Sequence, residues 1–527
     1  MNSDRAMRIL RVSVWIIIIV MLVILIQRFP KKNVINIDST KDDWAKLVLV
    51  LNSVDRDYVD NIDHQAVTEK ILPSVLAALD PHSVYLPPVD LEKADEVLQG
   101  GFDGIGIQFN VPNDTAIVTN VIAGGPSEKA GLLSGDRIIK IDDRNVAGVS
   151  MQQDSMVSMM RGPRGTKVKL ELKREGEDKL IPFTIVRDMI PIHSVDVAFM
   201  INDTTGFIKL SKFSKTSYFE FLQATLVLRE KGMKRLIFDL RDNTGGYLDQ
   251  AMMLSNEFLE KGDLVVYMEG KNRPRQDLVA DGKGSCKDIE LAVLINEASA
   301  SSSEIFAGAM QDNDRALIYG LRSFGKGLVQ EPVYFSDGSG IRLTVARFYT
   351  PTGRCIQKPY SDKYEMDILE RYEHGEMLSA DSIKVNDSLK YVTPGGKIVY
   401  GGGGIIPDVF VPLDTVGVTD YLIKCNRQSM VVKFANKFSD RHRTRMRTIK
   451  DMDALYAFFA EHNLKREFID YTTVNGIIPS ESDWKISGDI LMTQVKAVIG
   501  RYTPMGDDAF YPIYLENDNV VQRALGE

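Results

Sequence analysis

The spacing of apolar positions changes along the chain, and each change marks a new region. Between residues 42 and 99 it is helical, with Leu47, Val50, Leu51 and Val54 on one stripe and Val67, Ile71 and Val75 on another. Leu79-Asp-Pro-His-Ser-Val-Tyr-Leu-Pro87 interrupts that spacing, and its Asp-Pro step predicts a turn containing His82. From Gly101 to about Arg187 the period shortens. Residues 116–121 alternate and residues 138–141 read as a strand, which predicts a small β-rich module. Residues 188–358 mix both periods. Strands are predicted at 206–210, 236–240, 291–295 and 315–319, and helices at 218–231, 247–259 and 304–310, the order of an α/β core. Residues 361–397 are polar and charged and read as an insertion. Residues 419–527 carry amphipathic helices, including 451–462 and 491–499, and the basic run 441–450 reads as a solvated helix face or linker.

The start of the chain follows a different logic. Arg5, Arg8 and Arg11 precede residues 12–26, VSVWIIIIVMLVILI, which contain no charge. The run is shorter than the usual span of about 20 residues, but flanking side chains lengthen such a segment by snorkelling. Gln27-Arg-Phe-Pro-Lys-Lys32 follows where a cleaved signal would show small residues. An uncleaved signal anchor is therefore expected. Basic residues on both sides leave its orientation open.

Composition narrows the function classes. A chain of 527 residues exceeds one core, and 44% apolar with 26% charged residues is a globular composition. A net charge of −8 gives no basis for a nucleic-acid partner. Cys286, Cys355 and Cys425 are odd in number and far apart, so no disulfide framework follows. No HExxH or CxxC spacing is present, and neither a metal nor a cofactor is expected.

Candidate chemistry concentrates in residues 291–330. A strand there feeds a helix through a serine-rich turn, which projects a hydroxyl beside unpaired N–H groups. Lys326 follows between Gly325 and Gly327. The six histidines, His64, His82, His193, His374, His442 and His462, all lie outside this stretch. An activated serine would therefore take a lysine as its base, since desolvation favours the neutral amine. Gly320-Leu-Arg-Ser-Phe-Gly-Lys-Gly327 also nearly spells a phosphate-binding loop. Gly327 stands where that motif needs Ser or Thr, and Pro332 blocks the helix it needs.

The stretch NEASASSSEIFAGAM, followed by FGKGLVQ, resembles the signature of the carboxy-terminal processing (tail-specific) serine proteases, a family with S-A-S-A-S-E and F-G-K-G-x-x-Q. The resemblance implies Ser301 as nucleophile, Lys326 as base and Gln330 as the residue that holds the lysine. Ser299 and Ser303 stay as neighbouring candidates, and Ser302 stands where alanine is usual. Arg241-Asp-Asn-Thr-Gly-Gly246 resembles the family's R-x-N-x-G-G. It implies an oxyanion hole from Gly245 or Gly246 with the N–H of Ser302. Asp312 reads either as support for the site or as an exposed acidic residue. Gly401-Gly-Gly-Gly-Ile-Ile-Pro-Asp408 resembles the family's return to the core, and the L-D-P-H-S-x-Y segment its structural N-terminal turn. Residues 101–187, with GGPSEKAGLLSGDRIIKIDDRNV, resemble a PDZ domain, which implies carboxylate capture at Gly104, Ile105, Gly106 and Ile107.

The fold expected is a multidomain α/β protein. Residues 1–38 would be anchor and linker, 39–100 helical, 101–187 an inserted PDZ domain, 188–414 a crotonase-like protease core and 415–527 a helical C-terminal region. The function expected is a Ser–Lys endopeptidase that cleaves envelope proteins or peptides near free C-termini. It would be anchored in the inner membrane with its catalytic part in the periplasm, and an adaptor protein or homo-oligomer stands open as partner. The competing expectation is a PDZ scaffold that binds tails without cutting.

Overall fold

The computed structural model describes residues 44–527 except Ala123, Asp362 and Glu527. The chain falls into two compact units, divided between Leu72 and Pro73. In the first, the helix Ala45–Asp57 carries the expected stripe of Leu47, Val50, Leu51 and Val54, all exposed. The expected anchor, residues 12–26, lies outside the described residues. No helix among the described residues is long and apolar enough to cross a membrane.

The second unit is built on a six-stranded sheet. Its order is Val195–Met200, Thr205–Leu210, Arg235–Asp239, Glu290–Ile295, Leu317–Gly320 and Val409–Phe410, and every pair after the first is parallel. Alternate residues of each strand face opposite layers, as the two-residue period requires. Leu236, Phe238, Leu291 and Val293 pack with Phe221, Leu254 and Phe306 of the helices on one side. Ile237, Ala292 and Leu294 pack with Val521 and Ala524 of the last helix, Asn519–Leu525, on the other. This is the α/β core expected from the sequence.

Among the boundaries that differ from expectation, two have a clear local cause. The strand Leu317–Gly320 starts late because the Arg315 guanidinium turns to the carbonyls of Phe258, Cys286 and Ile289. The helix Glu481–Arg501 runs well beyond residues 491–499, because Ser480 and Asp483 form a reciprocal cap.

A separate sheet, Ile107–Asn110, Ala116–Val121, Arg137–Ile141, Lys167–Lys173 and Ile181–Val186, forms the β-rich module, with the helix Gln153–Met160 beside it. Ile107–Asn110 is one of its two edge strands. An antiparallel ribbon of Gly101–Gly104 and Asp188–Pro191 joins the module to the core.

The C-terminal helices meet the module through charge, which corrects the reading of residues 441–450 as a solvated face. Asp136 is fully buried and accepts from Arg174 Nε and Nη2 at 2.8 and 2.6 Å. Arg443 Nη1 lies 3.5 Å from the same carboxylate, and Arg137 pairs with Asp440. A buried carboxylate needs such partners, and the basic run supplies one.

Candidate active site

Three turns converge beyond the C-terminal ends of the parallel strands, where open α/β sheets form their clefts. They follow Arg235–Asp239, Glu290–Ile295 and Leu317–Gly320. In the first, Asn243 is fully buried and accepts the Gly245 N–H at 2.9 Å while donating to the Leu210 carbonyl at 2.8 Å. Gly245 has φ of +99°, and a Cβ there would lie 2.8 Å from Ser301 Cβ. Only glycine lets this turn approach the second one so closely. Arg241 pairs with both oxygens of buried Asp239 and, through Nη1, with Asp518 ahead of the last helix.

The second turn separates its serines by role. Ser299 Oγ donates to the Leu240 carbonyl at 2.8 Å, Ser302 Oγ to the Gly246 carbonyl at 2.9 Å and Ser303 Oγ to the Asn243 carbonyl at 2.8 Å. All three are buried and staple this turn to the first. Ser301 is partly exposed and sits at the start of the helix Ser302–Asp312 with φ of +55°. A non-glycine residue there stores strain of the kind found at functional turns. The Ser302 hydroxyl has its own use, which accommodates the departure from alanine.

Glu304 ties the second turn to the third. It is fully buried and accepts from the Ser301 N–H at 2.9 Å, Ser323 Oγ at 2.5 Å, the Gly325 N–H at 2.7 Å and the Lys326 N–H at 2.9 Å. Burial pushes its pKa up, and the four donors oppose that shift. The sequence reading did not assign this role to Glu304. The signal was its place three residues after a helix-starting serine, the spacing of a capping box.

Lys326 is half-buried, and its Nζ donates to Gln330 Oε1 at 2.9 Å. Burial lowers the pKa of its ammonium, and the Arg342 charge lowers it further against the pull of Glu304 and Asp80. Gln330 Nε2 donates to the His82 carbonyl at 2.6 Å. The L-D-P-H-S turn therefore reaches the site through backbone rather than through its imidazole. Asp312 does neither of the things expected of it. It is fully buried at the far end of its helix, paired with buried Arg354 at 2.6 Å and bonded to Thr352 at 2.7 Å.

The N–H groups of Gly246 and Ser302, and those of Ile105 and Gly106, have no acceptor among the described residues. The second pair lies in the Gly104–Ile107 loop. There Gly106 has φ of +77° and the Ile105 side chain is buried in the module's core. Ile107 begins the edge strand and Gly104 ends the connecting ribbon. Among the described residues no group of His, Cys, Asp and Glu is placed to hold a metal ion.

The chain belongs to peptidase family S41, the carboxy-terminal-processing proteases, and carries a PDZ domain. The S41 profile matches residues 204–368, the PDZ profile residues 104–184, and a family of unknown function residues 421–503. The carboxy-terminal-processing protease of Bartonella bacilliformis is 36% identical over 332 residues, 61% of this chain and 74% of that one. The carboxy-terminal processing protease CtpA of Bacillus subtilis is 34% identical over 316 residues, 60% of this chain and 67% of that one. A probable CtpA-like serine protease of Staphylococcus epidermidis is 34% identical over 314 residues, and the match spans 62% of its length. Among solved structures, a photosystem II D1 C-terminal processing protease is 26% identical over 73% of this chain and 90% of that one, with a TM-score of 0.39.

Proposed function

We propose that the protein is a serine endopeptidase in which Ser301 attacks and Lys326 is the general base. The observation that carries this reading is the division of labour among the serines: three hydroxyls staple the turn, while Ser301 carries the strained φ and remains partly open to solvent. A neutral Lys326 amine donating one N–H to Gln330 keeps its lone pair for the Ser301 proton. Ser301 Oγ would add to the scissile carbonyl as its proton passes to Nζ. The ammonium would then return that proton to the leaving amine, and water would release the acyl group by the same route. Gly245 already gives its N–H to Asn243, so the reading assigns the oxyanion to the N–H groups of Gly246 and Ser302.

The Gly104–Ile107 loop would take a substrate's terminal carboxylate on the N–H groups of Ile105 and Gly106. The tail would then extend along the edge strand Ile107–Asn110. Residues 101–187 would thus recruit and residues 188–414 cut, with residues 39–100 and 415–527 as helical flanks. Residues 12–26 support an anchor in a bacterial inner membrane, with envelope proteins as substrates. The test is mass spectrometry of an unstructured tail peptide incubated with wild-type protein and with Ser301→Ala. Cleavage by the first alone is expected. Binding without cleavage by either would favour a scaffold.

A further inference from the structure

Residues 361–397 read as a polar insertion, yet their buried side chains close around the turn that carries Lys326. Tyr364 is 5% exposed, and its hydroxyl lies 2.6 Å from His82 Nε2 while accepting from Gln357 Nε2 at 3.1 Å. Gln357 Oε1 accepts the N–H of Gly327, next to Lys326, at 2.9 Å. On the other side, the His82 carbonyl accepts from Gln330 Nε2 at 2.6 Å. That bond fixes which end of the Gln330 amide faces the lysine, so that Oε1 receives Nζ at 2.9 Å. One hydroxyl therefore holds both the backbone and the tip of the lysine arm.

Other residues of the segment reinforce the same turn. Arg371 donates to the carbonyls of Ser323 and Phe324 at 2.8 and 3.2 Å. Glu376 takes Arg322 in a two-toothed pair at 2.5 Å for each bond. Lys358 Nζ sits 4.0 Å from the Phe324 ring centroid and 4.1 Å from that of Tyr364, and pairs with Asp367 at 3.2 Å.

We propose that residues 361–397 position the general base, with Tyr364 a positioning residue that acts on Lys326 through His82, Gln330 and Gln357. The inference rests on the Ser301–Lys326 reading above. His82 suits the role because its imidazole is neutral. Burial pulls its pKa down to about 4, and in the Nδ1–H tautomer its Nε2 accepts from the tyrosine hydroxyl. A base that must present its lone pair in one direction loses rate when its arm gains freedom, even if substrate binding is unchanged.

The experiment follows p-nitrophenolate release from p-nitrophenyl acetate by the full-length chain, with Ser301→Ala defining the serine-dependent burst. Tyr364→Phe keeps the ring and removes the hydroxyl. It should slow the burst by about fivefold to tenfold, the worth of one or two hydrogen bonds. Its amplitude should stay that of wild type, which a partly misfolded preparation would not give. In a His82→Phe background the same substitution should cost less than it does in the wild type, since the His82 route is already lost and only the Gln357 route remains. A wild-type burst rate in Tyr364→Phe, or a reduced amplitude at unchanged rate, would overturn the proposal. Should Tyr364→Phe fail to fold, Asp367→Asn loosens the same segment from its outer side, and an unchanged burst rate there would overturn it equally. A wild-type burst that persists in Ser301→Ala would overturn the catalytic reading, and this proposal with it.

Discussion

Two turns each present a pair of N–H groups without an acceptor among the described residues, and they are built in opposite ways. At Ser301 the pair, Gly246 and Ser302, sits in a frame of buried polar bonds. Asn243, three serine hydroxyls and the four-donor Glu304 carboxylate brace the turns around it. At Gly104–Ile107 the pair, Ile105 and Gly106, is backed by apolar contacts. Ile105 is buried in the module's core, and Ile190 and Pro126 crowd Gly106. The loop joins the core through one two-stranded ribbon. The first design suits a charge that develops only in a transition state, where donors must be fixed in advance. The second suits a carboxylate that arrives already charged, where donors need only converge. Chemistry and recognition should therefore fail separately.

The largest effect should come from the reacting pair. Ser301→Ala and Lys326→Ala should each lower cleavage of any substrate by at least about a thousandfold while leaving thermal unfolding cooperative. Lys326→Arg should be equally inactive, because a guanidinium stays charged. Peptide cleavage assays with near-infrared-labelled or unlabelled tails check this, and an active Lys326→Ala enzyme would remove lysine from the mechanism.

Next comes the brace between the two sides of the chemical site. Glu304→Gln keeps the shape of the side chain but places an amide N–H₂ against donors. It should lower the acylation rate by about a hundredfold, since charge-assisted hydrogen bonds contribute roughly 1.5–3 kcal/mol each. It should leave binding of a tail peptide to the module untouched, measured by calorimetry. Loss of that binding would mean the two turns are not independent.

The pH profile gives a smaller, graded effect. Lys326 is depressed below lysine's ordinary 10.5 by burial and then by Arg342, with Glu304 and Asp80 acting in the opposite sense. If Lys326 is the base, the neutral amine is the reactive form, and the acylation rate should rise with pH through the depressed pKa and level off above it. A rate that falls between about pH 6 and about pH 9 would contradict a lysine base, since deprotonation there should help. Tail binding should stay flat over the same range, because backbone N–H groups do not titrate.

The same contrast explains what could be read from the sequence. The serine turn is local: strand, small residues and helix start are contiguous, so the turn itself stands out, and the family resemblance then points to Ser301 within it. Four of the six core strands are legible for the same reason, while Val195–Met200 and the two-residue Val409–Phe410 are not among those expected. The lysine side is assembled from distant segments. His82 contributes a carbonyl, which leaves no mark in a residue's identity, and Tyr364 and Arg371 lie in a polar stretch with no periodicity. Asp312 and Arg443 misled for a related reason. Each is a charged residue whose burial depends on a partner far along the chain, Arg354 and Asp136 respectively.

The smallest effect should come from the recognition turn, and it tests the separation most directly. Gly106 has a left-handed φ, and a Cβ there would lie 3.1 Å from Ile190 Cδ1. Gly106→Asp therefore adds strain, and it also adds a negative charge where a carboxylate would bind. Cleavage of tailed substrates should fall, while Ser301 should react with p-nitrophenyl acetate at the wild-type rate. Amidating the substrate's C-terminus makes the complementary change with the protein unaltered. It removes one charge and should weaken binding by about 1.5–3 kcal/mol, the worth of charge-assisted hydrogen bonds. That weakening should appear in KM with kcat little changed if the loop only recruits. Should kcat fall instead, the loop also controls the chemical turn, and deleting residues 101–187 would then show whether the module restrains the core or assists it. Equal cleavage of free and amidated tails by the intact protein would take carboxylate capture away from Gly104–Ile107 and leave the Ser301–Lys326 chemistry standing.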